Sequence, residues 1–182
     1  MASQNKIIKI AVTGPESSGK SFTSEYLARY FDGWVVPEFA REYLDHLDRA
    51  YNYDDILNIA KAQIDIEQKV TKDAIADDVD IIFFDNELIN TRIWCEEKYN
   101  TSDEFITQAI LEGNYDHYLL MRPDIDWIED PLRENPTDRD RLFQLHVDYL
   151  EKFKKPYTIL EGNFSDRLKL GVAVIKTFMI KR

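Results

Sequence analysis

Gly14-Pro15-Glu16-Ser17-Ser18-Gly19-Lys20-Ser21 reads G-x-x-x-x-G-K-S, and the residues on either side of it decide the fold. Before it, Ile7-Ile8-Lys9-Ile10-Ala11-Val12-Thr13 is rich in β-branched residues and almost unbroken in apolar character, the composition of a strand buried on both faces of a parallel sheet. After it, Phe22, Tyr26, Leu27, Tyr30 and Phe31 recur at helical spacing. Strand, glycine-bounded turn and helix, in that order, make a phosphate-binding loop. Successive backbone N–H groups and the helix N-terminus can then point at an anion with no Cβ in the way. Lys20 adds a cation for the β- and γ-phosphates, and the Ser21 hydroxyl is placed to ligate the Mg²⁺ that bridges them. Gly14, Glu16, Ser17, Ser18, Gly19, Lys20, Ser21 and Phe22 are therefore the candidate binding set for ATP with Mg²⁺.

The chain has 182 residues, the size of one domain, and no linker-like stretch divides it, so residues 1–182 are expected to form a single unit. With 44% hydrophobic residues it can build a full core at this length, which argues against disorder. A formal net charge of −11, with no basic cluster longer than Lys154-Lys155, repels a polyanion and excludes nucleic acid as a partner. Cys95 is the one cysteine, so no internal disulfide can form, and its neighbours Ile93, Trp94 and Tyr99 suit a buried hydrophobe. The short polar Met1 to Lys6 has no signal-peptide core after it, and no apolar run approaches membrane length. These features predict a cytoplasmic protein with a small-molecule substrate and no membrane partner, and leave its oligomeric state open.

Further along, Gly33-Trp34-Val35-Val36 reads as a second strand stopped by Pro37. A carboxylate directly after it, Glu38, would face the ligand crevice at the carboxyl ends of the strands, or else favour a helix N-terminus through its charge. An amphipathic pattern from Asp54 to Ala76 predicts a covering helix. Asp80-Ile81-Ile82-Phe83-Phe84-Asp85 has the form of a Walker B strand ending in a Mg²⁺-facing or proton-accepting carboxylate, with a helix cap as the alternative for Asp85. Helices over Leu88 to Tyr99 and Asp103 to Glu112 precede a fourth strand, Tyr118 to Met121. The charged, proline-bearing residues 122–141 read as a lid, with Arg133, Arg139 and Arg141 as candidate phosphate donors. A helix from Asp140 to Lys154, a fifth strand Tyr157 to Leu160 and a last helix Ser165 to Ile180 complete the pattern. Phe164 lies in the loop between the last two, where a purine could rest. Strands alternating with helices predict an α/β P-loop NTPase sandwich with a five-stranded parallel sheet and helices on both faces.

Glu38-Phe39-Ala40-Arg41-Glu42, Asp85 to Thr91 and Trp127 to Arg133, added to the phosphate loop, give a sequence that resembles the NadR-type ribosylnicotinamide kinase domain over nearly its whole length. The family's E-Y-x-R-E corresponds to Glu38, Arg41 and Glu42, its D-T-D-x-x-T-T to Asp85 through Thr91, and its W-x-x-D-G-L-R to Trp127, Asp130, Leu132 and Arg133. Asn86-Glu87 replaces the T-D, Asn90 the first threonine of the pair, and Pro131 the lid glycine. Pro37 stands where the family offers an aromatic residue to nicotinamide, leaving Trp34, Phe39 and Trp127 as substitutes. The resemblance implies an ATP- and Mg²⁺-dependent kinase acting on a ribonucleoside 5′-hydroxyl, such as that of nicotinamide riboside. Lys20, Glu38, Asp85 and Arg133 would then be catalytic, with Ser21 and Asp85 on the metal. Arg139 would join the ATP site, and Glu38, Arg41, Glu87 and Trp127 the acceptor site, with either Glu38 or Asp85 taking the proton. A nucleotide-dependent regulatory or binding module of the P-loop class is the alternative reading.

Overall fold

In the computed structural model, which describes residues 6–180, strands and helices alternate along the chain. They are β1 (Ile8–Thr13), α1 (Lys20–Phe31), β2 (Trp34–Val36), α2 (Phe39–Asp45), α3 (Tyr53–Ala76), β3 (Ile81–Asp85), α4 (Leu88–Tyr99), α5 (Glu104–Glu112), β4 (His117–Met121), α6 (Arg139–Lys152), β5 (Tyr157–Leu160) and α7 (Phe164–Met179). The five strands form one sheet in the order β2-β3-β1-β4-β5, every neighbour parallel. The α/β sandwich expected from the sequence is therefore the fold.

Alternation along β1 sorts its side chains between two helical layers. Ile8, Ile10 and Val12 pack with Leu27, Ala28 and Ile175 under α1 and α7, while Ala11 joins the cluster built by α3, α4, α5 and α6. Fully burying side chains such as Ile10 and Phe83 contributes roughly 1.5–3 kcal/mol each, which is why the inner strands carry almost no polar residues. Local chemistry sets the ends of the longer helices. Asn52 and Asp55 form a reciprocal capping box at α3, Asp103 caps α5, and Asn163 caps α7. Val12 pairs with Asp85, Val36 with Phe84 and Thr13 with Leu120, so the carboxyl ends of the four inner and edge strands open onto one crevice.

Some boundaries differ from expectation. The segment after β4 stops at Asp138, because Arg139 and Arg141 belong to the first turn of α6, so the irregular stretch spans 122–138 and not 122–141. Phe164 opens α7 instead of lying in the preceding loop. Cys95 is fully buried as expected, and burial pushes its thiol up to about 11, leaving it unreactive. The inward face of α7 is led by Arg167, Gly171 and Ile175, with Val172 and Met179 only partly covered.

Candidate active site

The phosphate loop is shaped by backbone that only certain residues tolerate. Gly14 sits at φ +137, and a Cβ there would come within 2.6 Å of the Met121 carbonyl oxygen, so no other residue fits between β1 and β4. Ser17, at φ +52, and Gly19, at φ +89, turn the chain so that the loop closes over the start of α1. Ser18 Oγ donates to the Pro15 carbonyl (2.7 Å), tying the loop to itself. Lys20 Nζ donates to the carbonyls of Gly14 (2.9 Å) and Pro15 (3.0 Å), folded back along its own loop.

Arg167 supports the loop from below, and sequence patterning gave no hint of it. Fully buried, it donates from Nη1 to Ser18 O (2.9 Å), from Nη2 to Arg122 O (2.9 Å) and from Nε to Gly162 O (2.7 Å), and it pairs with Asp124. A buried guanidinium is tolerated because each face of its fork meets an oxygen.

Around the loop lies a cleft of about 600 Å³, walled by the loop, the α2 start, α4 and the 122–138 segment. Glu38, Arg41 and Arg133 line it, as do Phe22 and Phe164, whose rings meet edge to face at 5.2 Å on the rim. Glu38 caps nothing: as the residue before α2 it makes no side-chain bond to the helix. Its Oε1 instead accepts from Asn86 Nδ2. Asp85 does not cap α4 either, since Glu87 fills that position by accepting from Ile89 N (2.8 Å). Asp85 lies beside Ser21 and Lys20, its Oδ1 is buried with no partner, and burial raises its carboxyl above the usual range.

A free carboxylate oxygen next to a serine hydroxyl is a hard-oxygen donor set that fits Mg²⁺. Among the described residues no group of three or more His, Cys, Asp or Glu could hold a metal, so an ion here would complete its shell with phosphate and water.

Two residues expected at the acceptor lie elsewhere. Glu87 is 2% exposed, accepts from Thr13 Oγ1 (2.8 Å), and lines a separate cavity of about 370 Å³ with Glu67 and Tyr115. Burial pushes its carboxyl up to about 7, and both of its oxygens are taken up inside the protein, by Thr13 Oγ1 and Ile89 N. Trp127 has the guanidiniums of both Arg133 and Arg139 over its ring, at 6.0 and 5.7 Å from its centroid. Arg139 is committed to the loop itself, donating to Ser17 O (3.1 Å) and Ile125 O (2.9 Å), whereas Arg133 donates to Ile128 O and borders the cleft. Arg141 is taken up by ion pairs with Glu97, which borders the cleft, and with Asp138.

Besides Phe22 and Phe164 on the rim, the cleft is lined by the aromatic side chains of Tyr51 and Trp94. Their rings meet edge to face at 5.2 Å, and Trp94 Nε1 donates to Tyr51 Oη (3.1 Å). Tyr51 lies in the loop before α3 and Trp94 in α4, so nothing in sequence spacing brings them together. His146 also lines the cleft, fully buried against Leu142 O (2.8 Å) and the Asn90 side chain (3.2 Å); burial lowers its ring to about 4, so it is neutral. No helix among the described residues is long and apolar enough to cross a membrane.

A glycine-bounded phosphate loop at the carboxyl end of the central strand of a parallel sheet, with an acidic strand end beside it, defines a P-loop NTPase. The sequence model of a family described as an AAA domain matches residues 9–167, and the chain belongs to that family. It is 26% identical to the trifunctional NAD biosynthesis/regulator protein NadR of Salmonella typhimurium and to that of Escherichia coli, over 93% of this chain and 42% of each relative. The chain thus spans about two-fifths of the length of the curated relatives it matches. Among solved structures, NadR in complex with NR superposes with a TM-score of 0.79 at 21% identity, over 94% of this chain and 51% of that one. Deoxyadenosine kinase from M. mycoides superposes with a TM-score of 0.61 at 15% identity, over 93% of this chain and all of that one. At these identities the superpositions establish a shared fold.

Proposed function

We propose that this chain is an ATP-dependent, Mg²⁺-dependent kinase that phosphorylates the 5′-hydroxyl of nicotinamide riboside or a closely similar ribonucleoside. One observation carries the reading. The phosphate loop, the carboxylate Glu38 and the Tyr51–Trp94 pair line a single cleft, with Asp85 buried beside Lys20 and Ser21. The likeness to the NadR proteins and to a deoxyadenosine kinase supports it. A cationic pyridine ring is attracted to aromatic faces, so the pair offers what Pro37 does not.

Ser21 and Asp85 would hold Mg²⁺, which when bound neutralises charge across the β- and γ-phosphates. Lys20 would release the loop carbonyls and turn to the phosphate, and Arg133, at the edge of the cleft, would meet charge on the transferring group. As the acceptor oxygen bonds to the γ-phosphorus, its proton passes to Glu38 and the bond from the γ-phosphorus to the bridging oxygen breaks, leaving ADP. Glu38 suits this step better than Asp85, because it borders the cleft while Asp85 is buried beside the metal-side residues.

The test is to incubate the protein with ATP, Mg²⁺ and a panel of nucleosides including nicotinamide riboside, scoring phosphorylated product by mass spectrometry. Product from nicotinamide riboside above the rest of the panel is the expected result. Product from another acceptor alone would keep the kinase chemistry and discard the substrate.

A further inference from the structure

Asn86 is the first residue past β3, and its backbone is pinned: φ is +80, and its N–H donates to the carbonyl of Val12 on the central strand (3.0 Å). From that fixed point its Nδ2 reaches Glu38 Oε1 at 2.5 Å, a contact between β3 and the start of α2 across 48 residues of chain. An ionised carboxylate can only accept, so the amide must turn its nitrogen to Glu38 and its oxygen away. That oxygen, Oδ1, is buried and has no partner among the described residues. A buried carbonyl left unpaired is uncommon in native proteins and is tolerated mainly where function fixes the group. The only described side-chain bond of Asn86 therefore goes to the cleft carboxylate.

We propose that Asn86 is a positioning residue for phosphoryl transfer: it immobilises Glu38 by occupying Oε1, so that Oε2 is left to face the acceptor hydroxyl. This rests on the kinase reading above. A neutral amide suits the role. A cation in its place would hold the carboxylate more tightly but weaken it as a base, and the nearby cation, Arg41, is engaged by Asp130.

The φ of +80 dictates the variants, because Gly and Asp accept that backbone whereas Ala or a β-branched residue is strained there. Asn86→Gly removes the side chain; Asn86→Asp keeps its shape but replaces the donor with an oxygen that repels Glu38. Each is measured alone and combined with Glu38→Gln. With the preferred nucleoside as acceptor, kcat should fall about tenfold in Asn86→Gly and about a hundredfold in Asn86→Asp, the scale of a misplaced general base, with KM for ATP within about twofold. In the Glu38→Gln background neither change should lower the residual kcat by more than about twofold, because a residue acting through Glu38 has nothing left to act on. Thermal unfolding checks that each variant is folded, and Asn86→Gly, which this backbone accepts best, decides the question if Asn86→Asp proves poorly folded. Additive losses in the Glu38→Gln background, or wild-type kcat in both single variants, would overturn the positioning role while leaving the kinase reading in place. A wild-type protein that phosphorylates no acceptor would remove the kinase reading and this role together.

Discussion

Arg41 on α2 and Asp130 in the 122–138 segment meet across the mouth of the cleft, Nη2 to Oδ2 at 2.9 Å and Nη1 to Oδ1 at 3.4 Å. On the opposite wall Lys98 of α4 holds Glu134 of the same segment at 2.8 Å. The Glu134 and Asn135 N–H groups donate to Glu16 of the phosphate loop, both at 3.0 Å. One segment is thus fastened to both α2 and α4 and to the phosphate loop. Exposed ion pairs of this kind contribute at most about 1 kcal/mol, weak enough to break in each catalytic cycle. Asp130→Asn should therefore leave Tm within a few degrees of wild type while raising KM for the acceptor several-fold. Unchanged acceptor kinetics would make the pair ordinary surface electrostatics.

In the proposed mechanism Lys20 supplies charge to the phosphates, and its two bonds in the structure are to its own loop, so Lys20→Ala should reduce turnover by at least about a hundredfold. Near-normal turnover in a folded Lys20→Ala protein would remove the loop from the mechanism.

Arg133 and Arg139 both lie over one ring, Trp127, yet differ in what they hold. Arg139 ties Ser17 to Ile125, so Arg139→Lys should loosen the loop and raise KM for ATP. Arg133 borders the cleft, so Arg133→Lys should lower kcat about tenfold with a smaller change in KM for ATP. Steady-state kinetics with ATP varied separates the two, and the reverse pattern would exchange their roles.

The parts of the site legible in sequence are those written in consecutive residues. A strand-loop-helix motif specifies its own geometry, so the places of Lys20 and Ser21 at the start of α1, and of Asp85 at the tip of β3, follow from local pattern. Glu38 was legible by position, but its partner was not, because Asn86 reaches it from another strand. Tyr51, Trp94 and Arg167 are illegible for the same reason: each acts through a neighbour distant in the chain, which local pattern does not encode. Glu87 misled in the opposite sense. A carboxylate two residues past a Walker B strand looks available to substrate, yet it is consumed by capping α4 and by Thr13.

Stability should fall as pH rises from about 4.5 to 7. Glu67 and Glu87 are both pushed up to about 7 by burial, so between the unfolded and folded values the native state holds protons that the unfolded chain releases. His146, lowered to about 4, works the other way over part of that window, because its unfolded form binds a proton that the buried ring refuses. Two carboxyls against one imidazole leave a net loss, on the order of 3 kcal/mol for each carboxyl fully shifted, before cancellation. Tm should thus be higher at pH 5 than at pH 7.5, and Glu67→Gln, neutral at every pH, should shrink the difference. A Tm that climbs steadily to pH 7.5 would show that the two carboxyls are ionised in the native protein.

The acceptor wall offers the sharpest discrimination between the family pattern and this chain. With Pro37 unable to stack, Trp127 was a natural substitute, but its ring has two arginines over it, while Tyr51 and Trp94 border the cleft. An aromatic platform contributes roughly 1–3 kcal/mol to a stacked base, so Tyr51→Ala should raise KM for nicotinamide riboside about tenfold to a hundredfold. Tyr51→Phe keeps the ring but loses the hydroxyl that receives Trp94 Nε1 and donates to Glu134 (3.0 Å), and should cost several-fold at most. Trp127→Ala should act through Arg133 and lower kcat, leaving that KM nearly unchanged. If Trp127→Ala raised the acceptor KM and Tyr51→Ala did not, the ring that meets the base would belong to the 122–138 segment and the Tyr51–Trp94 wall would be packing alone.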